Sequence, residues 1–347
     1  MENPDNFVYS LINEKVIDYA EIVVCLFDHC NLRCVFCPQD HNLETGTSRD
    51  EILSKVPGIV DWVNSNTRSK YFKIHVMGGE LFQDVWIQKG FMDHYQEFTD
   101  SINSQISEDK EIVFNFITNL VFEQTQPVLD FITNNNLKIS ISYDPKGRFT
   151  GAQFDLFKEN VELFKPYIEM VSSVMTNQSM DAIVEGDEYY DYLYANFTCD
   201  WDSFLPSVNQ SKFLMPKESE TLAFNKVLVD KYPKVLNIRN FIETSVSNKM
   251  SCTRGNSYTV MYDNTVPDGC SGSAILRDNT TPDLGSGKIV ENFLEKYNCL
   301  ECEFFARCPF TCFIKQDWKY LDDDEDDCVF RQTFKYARDK ETSSSFE

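Results

Sequence analysis

Residues 21–41, EIVVCLFDHCNLRCVFCPQDH, set a short apolar run directly before Cys30, Cys34 and Cys37. The run EIVVCLF (21–27) reads as a buried strand, because β-branched and aromatic residues dominate it and polar residues bracket it. Three thiolates within eight residues can wrap one face of a cubane iron–sulfur cluster and leave its fourth iron without a protein ligand. The other reading is a zinc site that borrows His29 or His41 as fourth ligand, although this spacing is unusual for a zinc knuckle. Cys25, inside the run, reads as a packed core thiol.

Further β-rich runs follow at FKIHVM (72–77), IVFNFI (112–117), LKISIS (137–142) and IEMVSSVM (168–175). Amphipathic segments separate them. SRDEILSKVPGIVDWV (48–63) opens with Ser48 and Glu51 at capping-box spacing, and FDLFKENVELF (154–164) has the same helical character. Strand and helix in alternation predict an α/β fold with parallel strands, either an open sheet or a barrel-like (βα)n unit. In such units chemistry gathers at the C-terminal ends of the strands. LNIRNFIE (236–243) reads as one more strand, whereas the segment 180–245 has no clean period. Beyond residue 250 the chain turns to Cys, Gly, Asp and Asn, which predicts a loop-rich unit organised by metal.

The length of 347 residues, 42% hydrophobic and 14% aromatic, is ample for a large core. A net charge of -23, from 32 basic and 55 acidic residues, repels DNA, RNA and acidic lipid surfaces. The first twenty residues lack a signal-peptide pattern and no apolar run is long enough to span a bilayer, so a cytoplasmic location is expected. In a reducing compartment the twelve cysteines are metal ligands or buried thiols rather than disulfides.

The spacing Cys30-x3-Cys34-x2-Cys37, with the aromatic Phe36 before the last cysteine, resembles the signature of the radical S-adenosylmethionine (radical SAM) enzymes. MGGE at the end of the second run puts Gly78, Gly79 and Glu80 where that family carries its GGE motif, whose carboxylate meets the ammonium of the methionine moiety. ITN (117–119) stands where relatives carry a TNG-like loop, with Asn119 matching and Leu120 in place of the glycine. Ser142 and Asp144 match an S-x-D motif near the cofactor ribose, with Pro145 where many relatives have glycine. Arg148 either faces the cofactor carboxylate or stands in solvent.

The resemblance implies a partial (βα)6 TIM-like radical SAM barrel over 20–245, after an N-terminal extension of residues 1–19. It implies a 4Fe-4S cluster and S-adenosyl-L-methionine (AdoMet) as cofactors. A one-electron reductant such as flavodoxin or ferredoxin completes the set. Reductive cleavage of AdoMet would yield a 5′-deoxyadenosyl radical that takes a hydrogen atom from the substrate.

The later cysteines are Cys252, Cys270, Cys299, Cys302, Cys308, Cys312 and Cys328. They resemble the seven-cysteine SPASM extension of such enzymes, here over 250–335 and followed by a disordered tail at 336–347. Carried over, the pattern assigns Cys299, Cys302, Cys308 and Cys328 to one closed auxiliary 4Fe-4S cluster. Cys252, Cys270 and Cys312 would hold a second, with Cys199 the outlying candidate for its fourth ligand. Structural zinc in the tail is the alternative. Thr265 stands where a glycine is expected five residues before Cys270, and Ser271 stands where sulfatase-maturating relatives place an acid. The leading functional expectation is modification of a peptide or protein side chain by crosslinking or oxidation. Residues 1–20 are short for the leader-binding domain that many such enzymes carry in front. The alternative is a dehydrogenase or epimerase of a small polar metabolite, such as a sugar or aminocyclitol.

Overall fold

The structure is a computed structural model that describes residues 19–37, 39–204, 214–242, 257–266, 294–305, 308 and 327–344. The expected β-rich runs form β1 (Tyr19–Cys25), β2 (Tyr71–Met77), β3 (Glu111–Thr118), β4 (Lys138–Ser142) and β5 (Ile168–Met175). Two strands join them, β6 (Thr198–Ser203) and β7 (Ser257–Val260). All seven lie in one parallel sheet of order β6-β5-β4-β3-β2-β1-β7, curled into a half-barrel. A parallel pair cannot close with a hairpin, so helices fill the crossovers and cover the outer face.

Between β1 and β2 run α1 (Arg49–Leu53) and α2 (Val56–Ser65). Between β2 and β3 run α3 (Asp84–Gln88) and α4 (Phe91–Asn103), and α5 (Thr125–Asn134) follows β3. α6 (Gly151–Phe164) follows β4, and α7 (Asn177–Glu185) and α8 (Glu188–Asn196) follow β5. α9 (Glu218–Lys231) and α10 (Leu236–Ile242) come after β6, and α11 (Val329–Ser344) closes the chain.

The capping box forms as read: Ser48 N–H donates to Glu51 at 3.0 Å and Glu51 N–H donates to Ser48 Oγ at 3.3 Å. The single helix expected over 48–63 is broken in two, because Pro57 in the first turn of α2 cannot continue a helix from α1. LNIRNFIE is a correction. Residues 236–242 are helical, with Ile238 and Phe241 buried three apart on one face. The tail from 336 is a second correction, since α11 runs to Ser344. Ala337 is buried there, Tyr336 Oη donates to Asp230 at 2.6 Å and Lys340 pairs with Asp230 at 2.6 Å. β7 comes from the stretch expected to be a separate unit, yet it lies beside β1.

Alternation within the strands divides the two faces. Ile22, Val24, Phe72, Ile74, Val76, Phe114 and Phe116 are buried under the helices, where Phe82 packs edge to face on Tyr95, Phe122 and Phe131, and Phe131 does the same on Phe116. The opposite face, inside the curl, presents Glu21, Lys73, His75, Asn115, Ser140, Ser142, Ser172, Asp200 and Asp202 at alternate positions. The interior is polar, as suits a site rather than a core.

Candidate active site

The cysteine loop leaves the C-terminal end of β1, where the sheet geometry places chemistry. Cys30 and Cys34 are buried and Cys37 half-buried, and the three thiols lie within electrostatic range of one another. A turn with Cys37 N–H donating to Cys34 O at 3.1 Å brings the last two together. Burial pushes the Cys30 thiol up to about 12 and Cys37 up to about 11, and raises Cys34. Thiols so placed ionise only when a cation compensates, which fits a cluster or metal as occupant.

Neither histidine is placed as a fourth ligand. His29 Nδ1 is 3.1 Å from Gln83 Oε1 and its ring packs edge-on to Trp86, while His41 meets the loop through its carbonyl, which accepts from Cys30 N–H at 3.2 Å. Among the described residues no group of three or more His, Cys, Asp or Glu side chains is arranged to hold a single metal ion.

Gly78 and Gly79 do their work on the cysteine loop itself. A Cβ on Gly79 would lie 2.1 Å from the carbonyl oxygens of Asp28 and of His29, and one on Gly78 would lie 2.9 Å from Phe27 O. The close approach lets Gly79 N–H donate to Phe27 O at 2.8 Å and Glu80 N–H to His29 O at 3.0 Å. Glu80 is then buried, accepting from Thr118 Oγ1 at 2.7 Å, Phe82 N–H at 2.9 Å and Asn119 N–H at 2.6 Å. Burial raises its pKa against these three donors. A carboxylate accepts about four hydrogen bonds, so one place remains for an incoming donor such as an ammonium group.

The β3 loop completes that wall. Asn119 donates to Asn31 Oδ1 at 2.9 Å, and its amide is 3.8 Å from Cys30 Sγ. Leu120, where relatives have glycine, keeps the backbone glycine would adopt, with φ 55°. Asn160 holds it there by donating to Leu120 O at 2.9 Å and Phe122 O at 2.8 Å.

The β4 loop packs on the other side. Val35 N–H donates to Gly147 O at 3.1 Å, and Gly147, at φ +82°, has no room for a Cβ, which would lie 2.6 Å from Val35. Arg148 is not in solvent. It stacks over Phe36 at 5.2 Å and makes a two-pronged contact with Asp144, Nε at 2.7 Å and Nη2 at 2.6 Å. The other Asp144 oxygen accepts from Val174 N–H at 2.7 Å, so this carboxylate is occupied by the protein and holds Arg148 against the cysteine loop. Ser142 lies half-buried on the inner face, in register with Ser172.

At the C-terminal end Cys299, Cys302, Cys308 and Cys328 line one recess. Successive turns aim the first three inward, with Cys302 N–H donating to Cys299 O at 3.0 Å and Cys308 N–H to Phe304 O at 2.9 Å. Burial and the neighbouring Cys328 and Cys302 push Cys299 up to about 12. Arg331, tied to Tyr297 O at 2.7 Å and to Asp327 at 2.9 Å, stands at the rim. Cys252, Cys270 and Cys312, with Ser271, lie outside the described residues. Cys199 is buried on the helix-facing side of β6 beside Tyr190, and Cys25 is likewise a packed thiol.

Two residues escaped sequence reading. Asp200 and Asp202 of β6 point into the curl from a segment without a recognised motif. The signal was present, because TCDWDS alternates polar Thr198, Asp200 and Asp202 with buried Cys199 and Trp201.

No family profile and no curated protein sequence matches the chain. Solved structures do. anSMEcpe with bound AdoMet has a TM-score of 0.67 at 16% identity, over 94% of this chain and 99% of that one. anSMEcpe with bound AdoMet and Cp18Cys peptide gives 0.66 at 16% identity, over 95% and 100%. Streptococcus suis SuiB bound to precursor peptide SuiA gives 0.56 at 13% identity, over 94% and 79%. The chain therefore has the partial TIM-barrel fold of the radical SAM enzymes, the class to which anSMEcpe and SuiB belong.

Proposed function

We propose that the protein is a radical SAM enzyme with auxiliary clusters that modifies a peptide or protein side chain. The observation that carries this is the convergence of the ends of β2, β3 and β4 on the loop that follows β1. The Gly78–Gly79–Glu80 turn, Asn119 and the Asp144–Arg148 loop all close around Cys30, Cys34 and Cys37. Cys30, Cys34 and Cys37 would hold a 4Fe-4S cluster, which with AdoMet supplies a 5′-deoxyadenosyl radical able to take a hydrogen atom from substrate. Glu80 has one acceptor place left for the ammonium of the cofactor's methionine moiety, and Ser142, on the inner face in register with Ser172, would contact the ribose. The helices and aromatic side chains behind the sheet keep water from its outer face.

The recess lined by Cys299, Cys302, Cys308 and Cys328 supports their assignment to one auxiliary cluster. Cys252, Cys270 and Cys312 would hold another. Peptides in the complexes of anSMEcpe and SuiB support a peptide substrate here.

Anaerobic reconstitution tests the proposal. Three cubanes give about twelve irons per chain, and reduction in the presence of AdoMet should release 5′-deoxyadenosine. A C30A variant should lose that release, and a C312A variant should lose about four irons while keeping it. A reconstituted wild-type chain with no iron, or with iron and no AdoMet cleavage, would sink the reading.

A further inference from the structure

The recess at the C-terminal end holds a charge that four cysteine ligands do not require. Beyond Cys299, Cys302, Cys308 and Cys328 it is lined by Tyr297, four phenylalanines and Arg331, so among the described residues Arg331 is the one cation on its wall. Arg331 lies in the first turn of α11, which Cys328 directly precedes. Its guanidinium is fixed from two sides, Nη2 donating to Tyr297 O at 2.7 Å and Nη1 to Asp327 at 2.9 Å. Held so, the side chain acts on the Cys302 sulfur, and its charge reaches Cys299 and Cys328. The backbone N–H groups of Arg331 and Phe330, at the positive end of the helix, act on the Cys328 sulfur as well.

The other charges nearby stand behind this wall. Asp327 accepts from Cys328 N–H at 2.9 Å and is shared between Arg331 and Lys335, the latter at 3.6 Å. Glu218, whose charge also reaches Cys328, accepts from Tyr297 Oη at 2.8 Å. None of Asp327, Lys335 and Glu218 lines the recess. An electron added to a group held by four thiolates is opposed by their negative charge and by these acids. A cation set against the sulfurs offsets that repulsion and favours the reduced state.

We propose that Arg331 sets the reduction potential of the cluster assigned to Cys299, Cys302, Cys308 and Cys328, holding it higher than the thiolates and the nearby acids would alone. This rests on the auxiliary-cluster reading given above and names the residue that tunes that site. The change it governs is the passage of one electron from an added low-potential reductant to the cluster, with no covalent bond formed or broken.

The test is an EPR-monitored redox titration of the anaerobically reconstituted full chain, with dithionite as reductant. The signal lost in a C308A chain is that of this cluster. Arg331→Met removes both the charge and the N–H donors, Arg331→Gln keeps a donor without the charge, and Arg331→Lys keeps the charge. At a fixed potential the reduced-to-oxidised ratio of that signal should be about tenfold or more lower in R331M than in wild type, a shift of about 59 mV or more to lower potential. R331Q should shift in the same direction, R331K should recover most of the loss, and the signals that C308A keeps should stay in place. An unchanged potential in R331M, or in R331Q where R331M loads no cluster, overturns the inference. So does a shift that R331K fails to reverse. Loss of the signal in both neutral variants makes Arg331 a structural residue, and a spectrum unaltered in C308A means that the recess holds no cluster; either result overturns the inference too. Release of 5′-deoxyadenosine from AdoMet is read separately in the wild-type chain. Release with an unmoved potential in the variants overturns only this inference, and a moved potential without release overturns only the radical SAM reading.

Discussion

Replacing Gly79 by alanine should uncouple the cysteine loop from the sheet. The new methyl carbon would stand 2.1 Å from two carbonyl oxygens, those of Asp28 and His29, and both belong to backbone, so neither can swing aside as a side chain would. An ordinary contact requires a retreat of about 1 Å by one of the two loops. The hydrogen bonds that cross this seam, Gly79 N–H to Phe27 O at 2.8 Å and Glu80 N–H to His29 O at 3.0 Å, then pass beyond useful length. Each is worth about 1 kcal/mol when made, and each buried group left unmatched costs about 1–3 kcal/mol. The two together predict a destabilisation of about 2–5 kcal/mol, within the range seen for overpacked sites. Iron binding should suffer more than the rest of the fold, because this seam ties the cysteine loop to the β2 loop. Urea unfolding of the apo chain measures the first quantity, and iron per chain after reconstitution measures the second. A G79A chain within about 0.5 kcal/mol of wild type that also loads its full iron would refute the packing argument.

Asp144→Asn should cost about 3–5 kcal/mol in urea unfolding by leaving the buried Arg148 guanidinium unpaired, and D144N/R148M should recover most of it; a single variant within 1 kcal/mol of wild type counts against the pair. Leu120→Gly removes a strained left-handed residue, a gain of about 1–2 kcal/mol, but also a fully buried side chain worth about 2–3 kcal/mol, so a net loss of about 1 kcal/mol is expected; a stabilised variant would show that the leucine packs poorly. Asp200 has a folded-state pKa above its unfolded value, so its ionisation opposes folding. Its penalty is absent below about pH 4, grows through the interval to about pH 7 and is complete above it. Relative to D200N, wild-type stability should therefore fall as pH rises through that window, and parallel stability curves for the two chains would remove Asp200 as the cause.

Much of the site was legible in one dimension because its parts are strand ends. A strand announces itself by period and composition, and the residues just after it must lie at one edge of a parallel sheet. Cys30, Cys34, Cys37, Glu80 and Asn119 could be placed at a common edge for that reason. Their partners could not. That Gly79 touches Asp28, or that Arg148 stacks on Phe36 rather than reaching solvent, depends on loops from different strands meeting. LNIRNFIE misled because a short apolar run has no distinctive period, and packing against α11 decides its helical state. TCDWDS was passed over because two aspartates in a strand look like a solvated edge until the sheet curls them inward.

Local chemistry by itself determined the strands, the capping box and the cysteine spacing, since each is a matter of neighbours within a few residues. Tertiary structure alone decided which donors and charges each carboxylate meets. Glu80 and Asp144 are occupied by donors 2 to 39 residues away, whereas Asp200 accepts from Trp201 N–H and Asp202 from Ser172, and among the described residues no lysine or arginine pairs with either. A carboxylate's pairing depends on distance in space, and folding sets that distance by curling one parallel sheet so that loops from successive strands meet at its edge.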